Sequence, residues 1–171
     1  MLLPTSVDLL RCIERTLETV IAPALTGLGE RSAAATMGHL LRHVRVRIER
    51  EGPMLNDEIG VVRPLLGQAE EYLSRLPPDD LAATQLRSRI GGLVGSTRNS
   101  GGYRGVASLA EEVSALRQGV CDVLVLLQNR TAGEDPDADR LRVAIQRYIV
   151  WEAEQEATII DPAFEGFGPR R

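Results

Sequence analysis

Apolar residues recur along this chain at steps of three and four, the spacing of one face of an α-helix. The first stripe is Leu10, Ile13, Leu17, Val20 and Ala24, widened by Leu9, Ile21 and Leu25. Thr5-Ser6-Val7-Asp8 ahead of it reads as a helix start, with Thr5 as cap and Asp8 facing the free N–H groups of the first turn. Pro23 cannot donate to the carbonyl of Thr19, so a kink is expected there. Gly27 and Gly29 are expected to end that helix. A second helix from near Glu30 carries Ala33, Met37, Leu40, Val44 and Ile48 on one face and is expected to stop at Gly52-Pro53. Asn56-Asp57-Glu58 reads as the next cap. Ile59, Val62, Leu66, Ala69, Leu73 and Leu76 then alternate three and four, a seam of coiled-coil type closed by Pro77-Pro78.

Asp79 or Asp80 caps a shorter fourth helix carrying Ala83, Leu86, Ile90 and Leu93. Residues 91–105 hold six of the sixteen glycines, a density expected to break a helix because each Gly costs about 1 kcal/mol relative to Ala. Residues 95–105 therefore read as a Gly-rich loop. Val106, Leu109, Val113, Leu116, Val120, Val123 and Leu127 form the clearest seam and a fifth helix. The apolar run 120–127 within it would suit a buried strand, but the seam passes through unbroken and no second strand is available to pair with it. Asp137 reads as the cap of a sixth helix carrying Leu141, Ala144, Ile145, Tyr148 and Trp151. The expectation is an all-α, single-domain bundle of about six helices over 1–160, followed by an extended or disordered tail over 161–171.

Composition narrows the chemistry. At 171 residues, 43% hydrophobic and 26% charged, the chain has the make-up of one soluble globular domain. Aromatics are only 4%, so Leu, Val, Ile and Ala must build the core. All twenty basic residues are Arg, which removes Schiff-base chemistry and the P-loop lysine; the bias suits a GC-rich bacterial genome. Cys12 and Cys121 make no CxxC pair, no HExxH or GxSxG occurs, and two His cannot make a three-His zinc site. A net charge of −4 argues against nucleic-acid binding, and no apolar run is long enough to cross a membrane. No signal peptide is visible, and two unpaired Cys fit a reducing cytoplasm.

Asp8-Leu9-Leu10, Leu17, Pro23-Ala24-Leu25-Thr26-Gly27 and an Ala-rich second helix ending Arg50-Glu51 cover the first third of the chain, with an echo at Ile160-Asp161-Pro162. In these positions the chain resembles a small uncharacterised all-helical bacterial family. Its members tend to sit beside acyl-CoA dehydrogenases and aminoglycoside-phosphotransferase-like kinases. The resemblance implies an accessory role near acyl-CoA metabolism and carries over no catalytic residue.

Three constellations could carry chemistry. His39 and His43 are spaced i, i+4, the interval that lets two imidazoles share a metal, although Arg47 and Arg50 flank the same edge; the plainer alternative is two boundary histidines. Glu152 falls on the apolar side of the last helix, where a carboxylate must be paired, protonated or near the end of the core. Glu156, one turn on, could join it as a metal-binding or acid–base pair; an Arg from another helix, or an oligomer contact, is the simpler reading. Ser96, Arg98, Ser100 and Arg104 furnish the Gly-rich loop with donors ahead of a helix N-terminus, a setting that favours an anion; a plain connector needs only the glycines. No nucleophile–base set stands out. The chain is expected to be a non-catalytic accessory or protein-interaction module, a homodimer without a cofactor, with a possible protein partner in a metabolic gene cluster. The alternative is a small-ligand or metal-binding bundle.

Overall fold

The computed structural model describes residues 4–96, 104–130, 133 and 135–164, with side chains as far as 160. Its described regular structure is entirely helical. Helix α1 spans Ser6–Thr16 and opens on a complete capping box. The Asp8 amide donates to Thr5 Oγ1 at 3.2 Å and the Thr5 amide to Asp8 Oδ2 at 3.0 Å. The Thr5 hydroxyl also donates to Asp8 Oδ2 at 2.6 Å, and this bond, followed by that of the Thr5 amide, favours the ionised carboxyl and holds its pKa below the ordinary value. The chain then widens into a π-helical turn over Leu17–Ile21, whose Ala22 amide reaches back to the Leu17 carbonyl. One further turn, Ala22–Ala24, contains Pro23. The kink expected at Pro23 thus takes the form of a π turn just before it, where helix irregularities near proline are commonly absorbed.

Helix α2 spans Leu28–Ser74, 47 residues with Pro53 and Pro64 inside it. Two helices were expected here, divided at Gly52-Pro53; one runs through. Proline removes a single donor, that to the Glu49 carbonyl, while Leu55, Ile59, Val62 and Leu66 just beyond are all buried. Keeping the helical period across the proline is what brings them to the core. Asn56, Asp57 and Glu58 are consequently interior helix positions rather than a cap.

Helix α3, Leu81–Gly95, is capped by Asp80, whose Oδ1 accepts from the Ala83 amide at 3.0 Å. It keeps Gly91, Gly92 and Gly95 inside the helix, against the expectation that this glycine density would break it. A Cβ on Gly91 would lie 2.9 Å from Glu70 Oε1, so at that position glycine serves packing. Of the expected loop over 95–105, residues 97–103 lie outside the described residues. Helix α4, Val106–Gln128, buries Leu109, Val113, Leu116, Val120, Val123 and Leu127 as the seam required. Arg142 donates to the Leu127 and Arg130 carbonyls at 2.6 and 2.8 Å, closing the C-terminal end of α4.

Helix α5 spans Pro136–Phe164. Its cap is Asp135 and not Asp137: Asp135 Oδ1 accepts from the Asp137 and Ala138 amides at 3.0 and 3.1 Å. Pro136 takes the first helical position, where its missing N–H costs nothing. The helix continues through Asp161-Pro162-Ala163-Phe164, four residues assigned to the tail from sequence; 165–171 lie outside the described residues. Among the described residues five helices therefore replace the expected six, because the second and third are one.

Two compact units are present: Met1–Gly52 with Glu154–Arg171, and Pro53–Ala153. The Gly52-Pro53 break is thus real in packing, though not in the backbone. The Pro53–Ala153 unit has one continuous core drawn from α2, α3, α4 and α5, including Leu66, Ile90, Leu116, Leu127 and Ile145. Gly119 sits in it where a Cβ would meet Leu93, Ile90 and Leu66 at 3.1–3.3 Å. The other unit is an antiparallel pairing of α1 with the first part of α2. Arg11–Glu49, Glu14–Arg45 and Glu18–Arg42 are ion pairs at 2.9, 3.1 and 3.1 Å, one number rising as its partner falls. Arg50 donates to the Thr158 carbonyl at 3.0 Å, tying in the end of α5.

Candidate functional site

Charged side chains inside the Pro53–Ala153 unit are spoken for by one another. Glu58 is 2% exposed and receives Arg117 through both oxygens, Nε to Oε1 at 2.6 Å and Nη2 to Oε2 at 2.9 Å. Tyr148 Oη also donates to Oε1 at 2.7 Å. Burial, then the Glu58 bond and charge, push the Tyr148 pKa well above its ordinary value, so the phenol stays protonated and donating. Arg117 Nη1 meets Glu152 Oε1 at 2.9 Å. Arg117 is therefore the interhelical partner that the placement of Glu152 called for. The set joins α2, α4 and α5 and satisfies itself, which suits a clamp better than a reactive centre. Glu58 was missed from sequence because three polar residues in a row read as a cap; its i+4 relation to Val62 was the available sign.

A second cluster takes up Arg104. Both Arg63, at 2.5 Å, and Arg104 bind Glu112, and Arg63 also donates to the Ser96 carbonyl at 3.0 Å. The Ser96 hydroxyl donates to the Leu93 carbonyl. Two of the four residues considered for anion capture are thus engaged beside a carboxylate. Arg98 and Ser100 lie outside the described residues.

His39 and His43 are half-buried on α2. His39 lines a shallow recess with Arg31 and Arg42, and His43 Nδ1 is buried without a hydrogen bond. Glu156 is exposed on α5. Among the described residues no group of three or more His, Cys, Asp or Glu side chains is arranged to hold a metal ion.

Between α3 and α4 lies an open cleft of about 760 Å³. Leu86, Val125 and Leu126 give it an apolar floor, and Arg89–Asp122 at 2.5 Å and Arg130–Asp80 at 2.7 Å stand on its walls. Its volume lies in the range of small-molecule sites.

The most unusual surface belongs to the Met1–Gly52 unit. Met37, Leu40, Val44 and Ile48, expected to face the core, are 55%, 60%, 46% and 52% exposed. The physical reason is that α1 docks elsewhere on α2. It packs along the side carrying Ala34, Gly38, Arg42 and Arg45, roughly a quarter turn from the stripe at 100° per residue; Leu17 lies against Gly38. Leu9, Ile13 and Ile21 on the α1 side are about half exposed as well. The two rows meet in a nearly pure apolar groove lined by Ile13, Leu17, Ile21, Met37 and Leu41, with Cys12 and Thr16 at its edges. Among the described residues this unit buries only four hydrophobic side chains: Leu17, Ala34, Val46 and Ile159. Periodicity found the stripe and misplaced its partner.

Among the described residues no helix is long and apolar enough to cross a membrane. Comparison with family models, curated proteins and solved structures finds no match.

Proposed function

We propose that this protein is a non-catalytic interaction module that docks through the apolar face of its Met1–Gly52 unit onto a protein surface. The observation that carries this is the continuous row Met37, Leu40, Val44 and Ile48 beside the groove of Ile13 and Ile21, all large and about half exposed. Contiguous apolar patches of several hundred Å² are uncommon on soluble monomers and mark contact sites. Residues 1–52 carry seven Arg against six Asp and Glu, so the unit is close to neutral and selects neither an anionic nor a cationic partner. The resemblance in the first third supports an accessory role beside enzymes of acyl-CoA metabolism in a bacterial cytoplasm.

Methionine oxidation footprinting tests this, since Met37 lies in the middle of the row. In native cell extract Met37 of the wild-type chain should oxidise several-fold more slowly than Met37 of a Val44→Glu variant. Equal oxidation in both would show an uncovered face and end the proposal.

The α3–α4 cleft favours a second function, binding of a small amphipathic carboxylate that exchanges for Asp122 at Arg89 over the apolar floor. Ligand-observed NMR with short carboxylic acids should then show saturation transfer that Arg89→Ala abolishes. No transfer from any of them sets this function aside.

A further inference from the structure

We infer that the occupant of the apolar face is a second copy of this chain, docked antiparallel along α2 so that the two hairpins close into a four-helix bundle. This rests on the docking role proposed above and names its partner. Met37, Leu40, Val44 and Ile48 fall within an arc of roughly 80° on α2, and every one of them is exposed. Between Met37 and Ile48 no charged side chain falls in that arc, and Glu51, which continues it one turn on, lies level with Ala34 of an antiparallel copy, so a twofold axis through the row opposes no like charges, as a self-complementary isologous interface requires.

The register follows from the spacing. An axis midway between Arg42 and His43 sets Met37 opposite Ile48 of the second copy, and Leu41 opposite Val44 of the second copy. Met37, Val44 and Ile48 then each meet a large apolar side chain, while Leu40 falls level with Arg45 of the second copy, whose aliphatic stem can cover it. The α1 rows flank this contact, bringing Leu9, Ile13 and Ile21 against the opposing hairpin. Together these residues expose roughly 600 Å² of apolar surface per copy, and twice that plus a polar rim reaches the size of a stable interface. A lone hairpin of this kind has too little core to hold itself, whereas helices in four-helix bundles obtain theirs from facing neighbours. The near-neutral balance of residues 1–52 removes the charge repulsion that would oppose self-association.

Light scattering coupled to gel filtration, with site-directed cross-linking, tests this. The wild-type chain should run at twice its 18.7 kDa mass, and Val44→Glu at the single-chain mass with its helical circular dichroism retained. In a background with Cys12 and Cys121 changed to Ser, Val44→Cys should form an interchain disulfide under mild oxidation. Two Val44 positions are offset by only ~4.5 Å along antiparallel helices in this register, against ~17 Å for two Met37 positions, so Met37→Cys should cross-link at least tenfold less. A single-chain mass for wild type, a dimeric Val44→Glu, or equal cross-linking at both sites overturns the inference. A wild-type monomer whose Met37 is nevertheless protected in extract would remove the second copy and leave the docking role standing. A monomer with Met37 unprotected everywhere would remove both.

Discussion

Glu58 shows how one side chain can decide a packing arrangement. Its carboxylate accepts three hydrogen bonds, from Arg117 twice and Tyr148 once, and is buried among groups that leave it no unpaired oxygen. Removing one member of such a set leaves an uncompensated group in the interior. Glu58→Gln should therefore lower stability by about 3 kcal/mol, the low end for a broken buried pair because Arg117 reaches solvent; urea unfolding would measure it. Tyr72 supplies a pH signature. Burial first, then its bond to Asp135 Oδ2 at 2.9 Å, push its pKa from 10.0 up to about 12. The folded chain keeps a phenolic proton that the unfolded chain releases above pH 10, so the contribution is intact below pH 10 and is lost as pH rises from 10 to 12. Tyr72→Phe should flatten the loss of stability across that window; an unchanged slope would show that Tyr72 does not contribute to it.

At the level of elements, the departures from expectation have physical causes that can be tested one by one. Pro53 sits within α2 without ending it because burial of Leu55, Ile59 and Val62 outweighs one missing hydrogen bond. Restoring the donor with Pro53→Ala should slow amide exchange around residues 49–57, and no slowing would mean that the proline imposes no local opening. Glycines in the helices divide by surroundings. Nothing lies within 4 Å of a Cβ built on exposed Gly60, so Gly60→Ala should raise stability by about 1 kcal/mol. Gly119 faces three aliphatic side chains, so Gly119→Val should overpack the core and cost about 1–3 kcal/mol. Thermal unfolding of the two variants in opposite directions would confirm the division.

At the level of the whole molecule, the contrast is between a unit with a full core and one with four buried hydrophobic side chains among its described residues. Hydrophobic burial is the main favourable contribution to folding, so the Met1–Gly52 unit should be the first to open. In Val44→Glu its amides should exchange well ahead of those in α4, and equal protection in both would contradict the assignment. The sequence by itself determined the helical class, the Thr5 cap, an aspartate cap at 79 or 80 and the unbroken seam of α4, because each depends on neighbours within a few residues. It also located the Met37–Ile48 stripe and the need of Glu152 for a partner. Only tertiary structure decided that Arg117 is that partner, that Glu58 is the buried acid, and that α2 continues across Pro53. These depend on which residues distant in the chain are brought together, and local periodicity holds no record of that. The same limit applies to the stripe: amphipathicity shows that a face must be covered, and only the docking direction of α1 showed that this helix packs beside the stripe and not over it.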